Sequence, residues 1–203
     1  MMGEDFKLII ITPEEDITNE AVIIHELFKA GLQLLHIRKP LYNIQQTRNL
    51  LISIPVIFHS KIVIHSYYEF LHDFNLNGIH LSEKTRKEGT VSGMKNIVST
   101  SFHNLEDIKT EKMNFKYAFL SPVFPSVSKQ GYKPIIETGE IKNFFHTGIN
   151  QIRFPIIALG GITDKNVLQL KDMGFNGVAS IGYIWESSNP VEQFNKLQNI
   201  LRA

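Results

Sequence analysis

The sequence predicts a compact α/β fold, a (β/α)8 TIM barrel in one domain spanning residues 1–203, and three observations carry that expectation. Short apolar runs rich in β-branched residues alternate with segments of helical spacing; the alternation repeats about eight times; and no composition shift marks a linker anywhere in the 203 residues. Regular alternation of this kind argues for a parallel sheet with helical crossovers, and eight units argue for closure rather than an open sheet. With 43% hydrophobic residues the chain can fill one substantial core.

Taken in order, Phe6–Ile11 reads as the first strand, stopped by Thr12-Pro13. A helix follows to about Ala30, with Ala21, Ile24, Leu27 and Phe28 spaced for one buried face. Leu34–Arg38 is the second strand and Ile44–Ile52 the second helix; Lys61–His65 is the third strand, followed by a short helix over Tyr67–Phe74. Gly78–Leu81 is the fourth strand, with weak helical pattern across Glu83–Gly89. Lys95–Ser101 and Tyr117–Ser121 are strands five and six, with helices at Asn104–Thr110 and Glu137–Thr147.

The stretch Phe154–Trp185 is the most informative. Ile156-Ile157-Ala158-Leu159 lies between Pro155 and the Gly160-Gly161 pair, as a buried parallel strand would. Thr163 or Asp164 can cap the next helix, which turns Val167, Leu168, Leu170 and Met173 to the core and stops at Gly174. Gly177–Ile181 is the eighth strand, with Gly182 behind it, and Val191–Leu201 closes the chain. A glycine turn lets backbone N–H groups approach an anion closely, and the loops after strands seven and eight of such barrels form a phosphate site. A lone Gly-Gly is equally a plain turn; two glycine sites at successive strand ends favour phosphate.

Composition excludes several classes. Lys+Arg of 21 against Asp+Glu of 20 leaves a net charge of +1, which argues against a nucleic-acid partner held by a broad basic face. The absence of cysteine removes disulfides, thiolate metal sites and a cysteine nucleophile. No signal pattern and no apolar stretch of roughly 20 residues is present, so a cytoplasmic protein with no membrane partner is expected.

Active sites of such barrels lie at the carboxyl ends of the strands. The polar residues there are Thr12, His36 with Arg38, His65 with Ser66, His80 with Ser82, Ser101 with His103, Ser121, Gly160-Gly161 and Gly182. No carboxylate accompanies His36, His65 and His80 at ligand spacing, which favours histidines that satisfy backbone groups over metal ligands.

Six stretches, LLHIRK, NGIHLSE, STSFHNLED, YAFLSPVFPSVSKQG, IIALGGIT and GFNGVASIGYIW, resemble the thiamin phosphate synthase and TenI superfamily over nearly the whole length. Synthases of that superfamily join a thiazole phosphate to a pyrimidine methyl diphosphate with Mg2+, releasing pyrophosphate; TenI-like members include tautomerases that shift a proton on a carboxylated thiazole phosphate. The resemblance implies a phosphorylated small-molecule substrate and allows a homodimer. It carries the thiazole-phosphate cradle onto Gly160, Gly161, Ser180, Ile181 and Gly182, and the anion-binding loop onto Ser126, Ser128 and Lys129. It also matches Ser101 and His103 to the S-x-H segment after strand five, with His103 in proton transfer, a role suited to imidazole. His36, Arg38 and His80 fall at substrate-binding positions.

The departures lie in the diphosphate half. The two aspartates that would hold Mg2+ are replaced by Ser66 and Lys84, and Pro40 stands where the strand-two lysine is usual. Glu83 remains as a metal ligand only if the chain is a synthase. The residues thus favour a TenI-like tautomerase needing no cofactor, with a Mg2+-dependent synthase and a non-catalytic phosphate-binding barrel as alternatives.

Overall fold

The computed structural model describes residues 6–89, 95–125, 136–148 and 152–203. Eight parallel strands close into a barrel in sequence order: β1 (Lys7–Ile11), β2 (Leu35–Ile37), β3 (Ile62–Ile64), β4 (Gly78–Leu81), β5 (Ile97–Phe102), β6 (Tyr117–Leu120), β7 (Ile156–Leu159) and β8 (Gly177–Ser180). Closure is made by β1 and β8, with Lys7 opposite Gly177 and Ile10 opposite Ser180. Gly177 has to be small, because a Cβ there would stand 2.5 Å from the Lys7 carbonyl oxygen across that seam.

Outside the barrel, and among the described residues, lie α1 (Glu20–Lys29), α2 (Ile44–Ser53), α3 (Phe70–Asp73), α4 (Glu83–Lys87), α5 (Leu105–Thr110), α6 (Thr138–Gly148), α7 (Val167–Met173), α8 (Gly182–Trp185) and α9 (Pro190–Arg202). Alternation along each strand splits the core in two. Ile10, Leu35, Ile37, Ile62, Ile64 and Val178 belong to the large layer under the helices, while Ile9, Ile11, Tyr117, Phe119, Ile157 and Ala179 fill the barrel interior.

Several boundaries differ from the sequence expectation for local reasons. The third helix begins at Phe70, not Tyr67, because Tyr67 takes a left-handed φ of 53°. Asn96, at φ 61°, likewise delays β5 to Ile97. The weak pattern over Glu83–Gly89 is a real helix, capped by the Ser82 hydroxyl, which accepts from the Thr85 amide. A 3-10 turn over Val56–Lys61 and the single-turn α8 are too short to leave a periodic signal.

Two expectations for the seventh unit are corrected. Leu168 is 56% exposed rather than core-facing, because α7 begins only at Val167 and its buried stripe is Val167, Leu170 and Met173. Neither Thr163 nor Asp164 caps it: Asn166 holds the cap position, its Oδ1 accepting from the Thr163 amide, and Asp164 pairs with Lys196 of α9.

Candidate active site

The carboxyl ends of β5, β6 and β7 are tied into one rim by backbone geometry. His103, just past β5, donates from Nδ1 to the Ser121 carbonyl at the end of β6, 2.6 Å away. The chain then turns through a cis Ser121-Pro122 bond, and the amides of Val123 and Phe124 bond the carbonyls of Leu159 and Gly160 at 3.0 and 3.2 Å. Gly160 and Gly161 both have positive φ, and a Cβ on Gly161 would lie 2.4 Å from the Pro125 carbonyl oxygen. The glycine pair is therefore required by the close approach of the β6 loop, whatever it binds.

That rim fixes the tautomer of His103. A carbonyl can only accept, so Nδ1 carries the proton, and Nε2 of the neutral ring keeps its lone pair. Nε2 faces Glu83 Oε2 at 3.7 Å, and the imidazole side chain is 39% exposed. Glu83 in turn bonds Lys87 at 2.8 Å, and Lys87 reaches Asp107 at 2.8 Å. The result is a solvent-accessible base with a carboxylate placed to receive the charge it acquires. The Glu83–His103 pairing was missed from sequence, where Glu83 read only as a metal ligand.

Across the barrel mouth, Ser180 ends β8, 2% exposed, and its Oγ has no hydrogen-bond partner among the described residues. Ile181 and Gly182 follow and begin α8, whose first amides lack helical acceptors by position. Trp185 is buried and donates from Nε1 to the Ile11 carbonyl, anchoring this turn to the end of β1. Ser126, Ser128 and Lys129 lie outside the described residues.

The ends of β2, β3 and β4 present a different chemistry. His36 and His80 are buried inside the barrel, at 0% and 3% exposure, with His65 beside them. His36 Nδ1 meets His65 Nε2 at 2.9 Å and its Nε2 meets the Tyr117 hydroxyl at 2.5 Å. His80 contacts Ser99 Oγ through Nδ1 at 2.8 Å and Ser101 Oγ through Nε2 at 3.1 Å. Their partners are thus one another and hydroxyls, not the backbone groups that the sequence suggested. Burial pushes all three imidazoles well below the ordinary histidine range, His80 to about 3, with neighbouring histidines and Arg38 adding to the effect.

Arg38, at the mouth, bonds Glu14 at 2.6 Å, and its amide is held by the Thr12 hydroxyl. Lys39 does not take the place of the lysine missing at Pro40. Its ammonium is buried against Glu20 at 2.8 Å and donates to the Glu15 carbonyl.

The donors expected for Mg2+ do not fit that ion. Magnesium takes hard oxygen ligands in near-octahedral array. Here Ser66 and Lys84 replace two carboxylates, Lys84 points to Glu88, and the remaining carboxylate, Glu83, is engaged by Lys87.

Comparison with known proteins agrees with the barrel. The TMP-TENI family model, described as thiamine monophosphate synthase, matches residues 8–184. A thiamine-phosphate synthase from Dictyoglomus turgidum is 22% identical, over 98% of this chain and 92% of its own. Among solved structures, the thiamine phosphate pyrophosphorylase of Bacteroides thetaiotaomicron superposes with a TM-score of 0.81 at 31% identity, over 97% of this chain and 98% of that one. The Pyrococcus furiosus thiamine phosphate pyrophosphorylase, at 16% identity and TM-score 0.79, covers 97% and 96% and shares the fold. The family-model match over residues 8–184 places this chain in the thiamine monophosphate synthase family.

Proposed function

We propose that this member of the family acts on a thiazole phosphate as a TenI-like tautomerase, a single cytoplasmic barrel domain that needs no Mg2+ for the reaction. The observation that carries the reading is the setting of His103: Nδ1 is tied to the Ser121 carbonyl, and Nε2 is an accessible base facing Glu83. In the proposed step Nε2 removes a proton from one carbon of the carboxylated thiazole phosphate. The imidazolium is held between the Ser121 carbonyl and the Glu83 carboxylate, and it returns a proton at a second position of the same molecule, so nothing is gained or lost overall. The phosphate sits against Gly160, Gly161, Ser180, Ile181 and Gly182; Ser126, Ser128 and Lys129 grip its anionic groups; Ser101 and Arg38 line the opposite side, with His36 and His80 buried beneath them.

A second reading, Mg2+-dependent coupling of thiazole phosphate to a pyrimidine methyl diphosphate, is supported by its relatives' being thiamine-phosphate synthases. It would need Glu83 to leave Lys87 for a metal. His103→Gln separates the two readings. Tautomerisation falls by roughly 100-fold or more for loss of a general base, with phosphate affinity retained. Full tautomerisation in the variant would refute the role given to His103. Ligand-induced stabilisation without any turnover in the unmutated protein would instead point to a non-catalytic binder.

A further inference from the structure

We propose that His36, His65 and His80 form a binding site for a zinc-class divalent ion inside the mouth of the barrel. One ring nitrogen from each lies within 4.8 Å of the others, the one such group of histidines and acids found among the described residues. The three come from the ends of adjacent strands, β2, β3 and β4, whose pairing sets His36 opposite Val63 and Val63 opposite Gly78. The sheet therefore brings the three backbone positions together, and side-chain rotation sets the final spacing of the nitrogens.

The donors select the ion. Three neutral imidazoles suit zinc and its neighbours, not magnesium or calcium, which take oxygen. Zn–N bonds of about 2.0–2.1 Å in a tetrahedron put the nitrogens roughly 3.3 Å apart. The His36–His65 pair, at 2.9 Å, needs only to open slightly, and the remaining nitrogen to swing inward.

Outer partners that orient the ligands are also present. His36 can donate Nε2–H to the Tyr117 hydroxyl, freeing Nδ1, and His80 can donate Nδ1–H to Ser99, freeing Nε2. Metal-ligating histidines commonly donate their second nitrogen in this way. The Ser101 hydroxyl, 3.1 Å from His80 Nε2, or a water would fill the fourth position. His65 is only partly buried and gives the ion its way in. The Arg38 charge, which bears on His65 and His80, opposes a dication, and its pairing with Glu14 at 2.6 Å offsets that repulsion.

The test uses untagged full-length protein, chelator-treated and dialysed, titrated with Co2+ as a spectroscopic substitute. The expected result is the intense visible bands of a four-coordinate site, saturating at one ion per chain and bleached by one equivalent of Zn2+. Tyr117→Phe keeps the ring in the core and should weaken Co2+ affinity about 10–100-fold. His65→Gln should abolish the bands, and His72→Ala, on the exposed face of α3, should leave them unchanged. A pale six-coordinate spectrum, several ions per chain, or bands that survive both His65→Gln and Tyr117→Phe would overturn the proposal. The unmutated spectrum and Tyr117→Phe decide the matter even if His65→Gln fails to fold.

Discussion

Gly161→Ala tests how the rim is built. Gly161 has φ +64°, and a Cβ placed there would lie 2.4 Å from the Pro125 carbonyl oxygen and 2.7 Å from Phe124 Cβ. Holding alanine in the left-handed region costs about 1–2 kcal/mol. The contacts are to backbone and to a Cβ, which cannot rotate aside, so the β6 loop must shift; overpacking of that kind costs about 1–3 kcal/mol. The sum is roughly 2–5 kcal/mol, read as a lower urea midpoint at unchanged slope. The shifted loop carries the Val123 and Phe124 amides bonded to Leu159 and Gly160, so affinity for inorganic phosphate, followed by calorimetry, should fall as well. Gly139→Ala is the control: no atom lies within 4 Å of its Cβ, and helix α6 should gain about 0.5–1 kcal/mol. A Gly161→Ala midpoint equal to wild type would refute the argument that the β6 loop demands glycine there.

Two further outcomes follow from the charges. Lys129→Ala should weaken binding of the anionic substrate about 10–150-fold, from the ~1.5–3 kcal/mol of a charge-assisted hydrogen bond, with little change in melting temperature; equal affinity would remove Lys129 from the site. In metal-free protein the buried histidines make stability fall as the pH is lowered. His80 titrates near 3 when folded and near 6.5 when unfolded. Between those values the unfolded chain binds the extra proton, so stability present above about pH 6.5 is lost on acidification, by roughly 3 kcal/mol at pH 4.5 for this imidazole alone. Glu20, whose pKa burial raises, works in the opposite sense. Denaturant unfolding from pH 7 to 4.5 checks the slope, and a flat profile would contradict the burial of the cluster.

The barrel was legible because buried parallel strands read as short apolar runs between breakers, and Gly78–Leu81 and Ile156–Leu159 match the structure residue for residue. The starts of α3 and β5 were less so, since Tyr67 and Asn96 adopt left-handed φ that no periodicity announces. At the rim, the S-x-H and Gly-Gly positions stood out as residue types, but the contact of Glu83 with His103 joins β4 and β5 loops through rotamers that sequence spacing does not encode. The histidine cluster had a usable signal that went unread. His36 and His80 alternate with apolar neighbours, so both must face the interior, and adjacent strands must bring them together.

The central claim is that His103 moves a proton on a thiazole phosphate without Mg2+. The direct measurement is NMR of the carboxylated thiazole phosphate in D2O with desalted protein, with Mg2+ supplied and left out, and a parallel assay for thiamin phosphate when the pyrimidine diphosphate is added. The account predicts tautomer conversion with deuterium incorporation in both conditions, lost in His103→Gln, and no coupled product. Mg2+-dependent thiamin phosphate formation, with no tautomer conversion, would contradict it and make the chain a coupling enzyme despite Ser66 and Lys84.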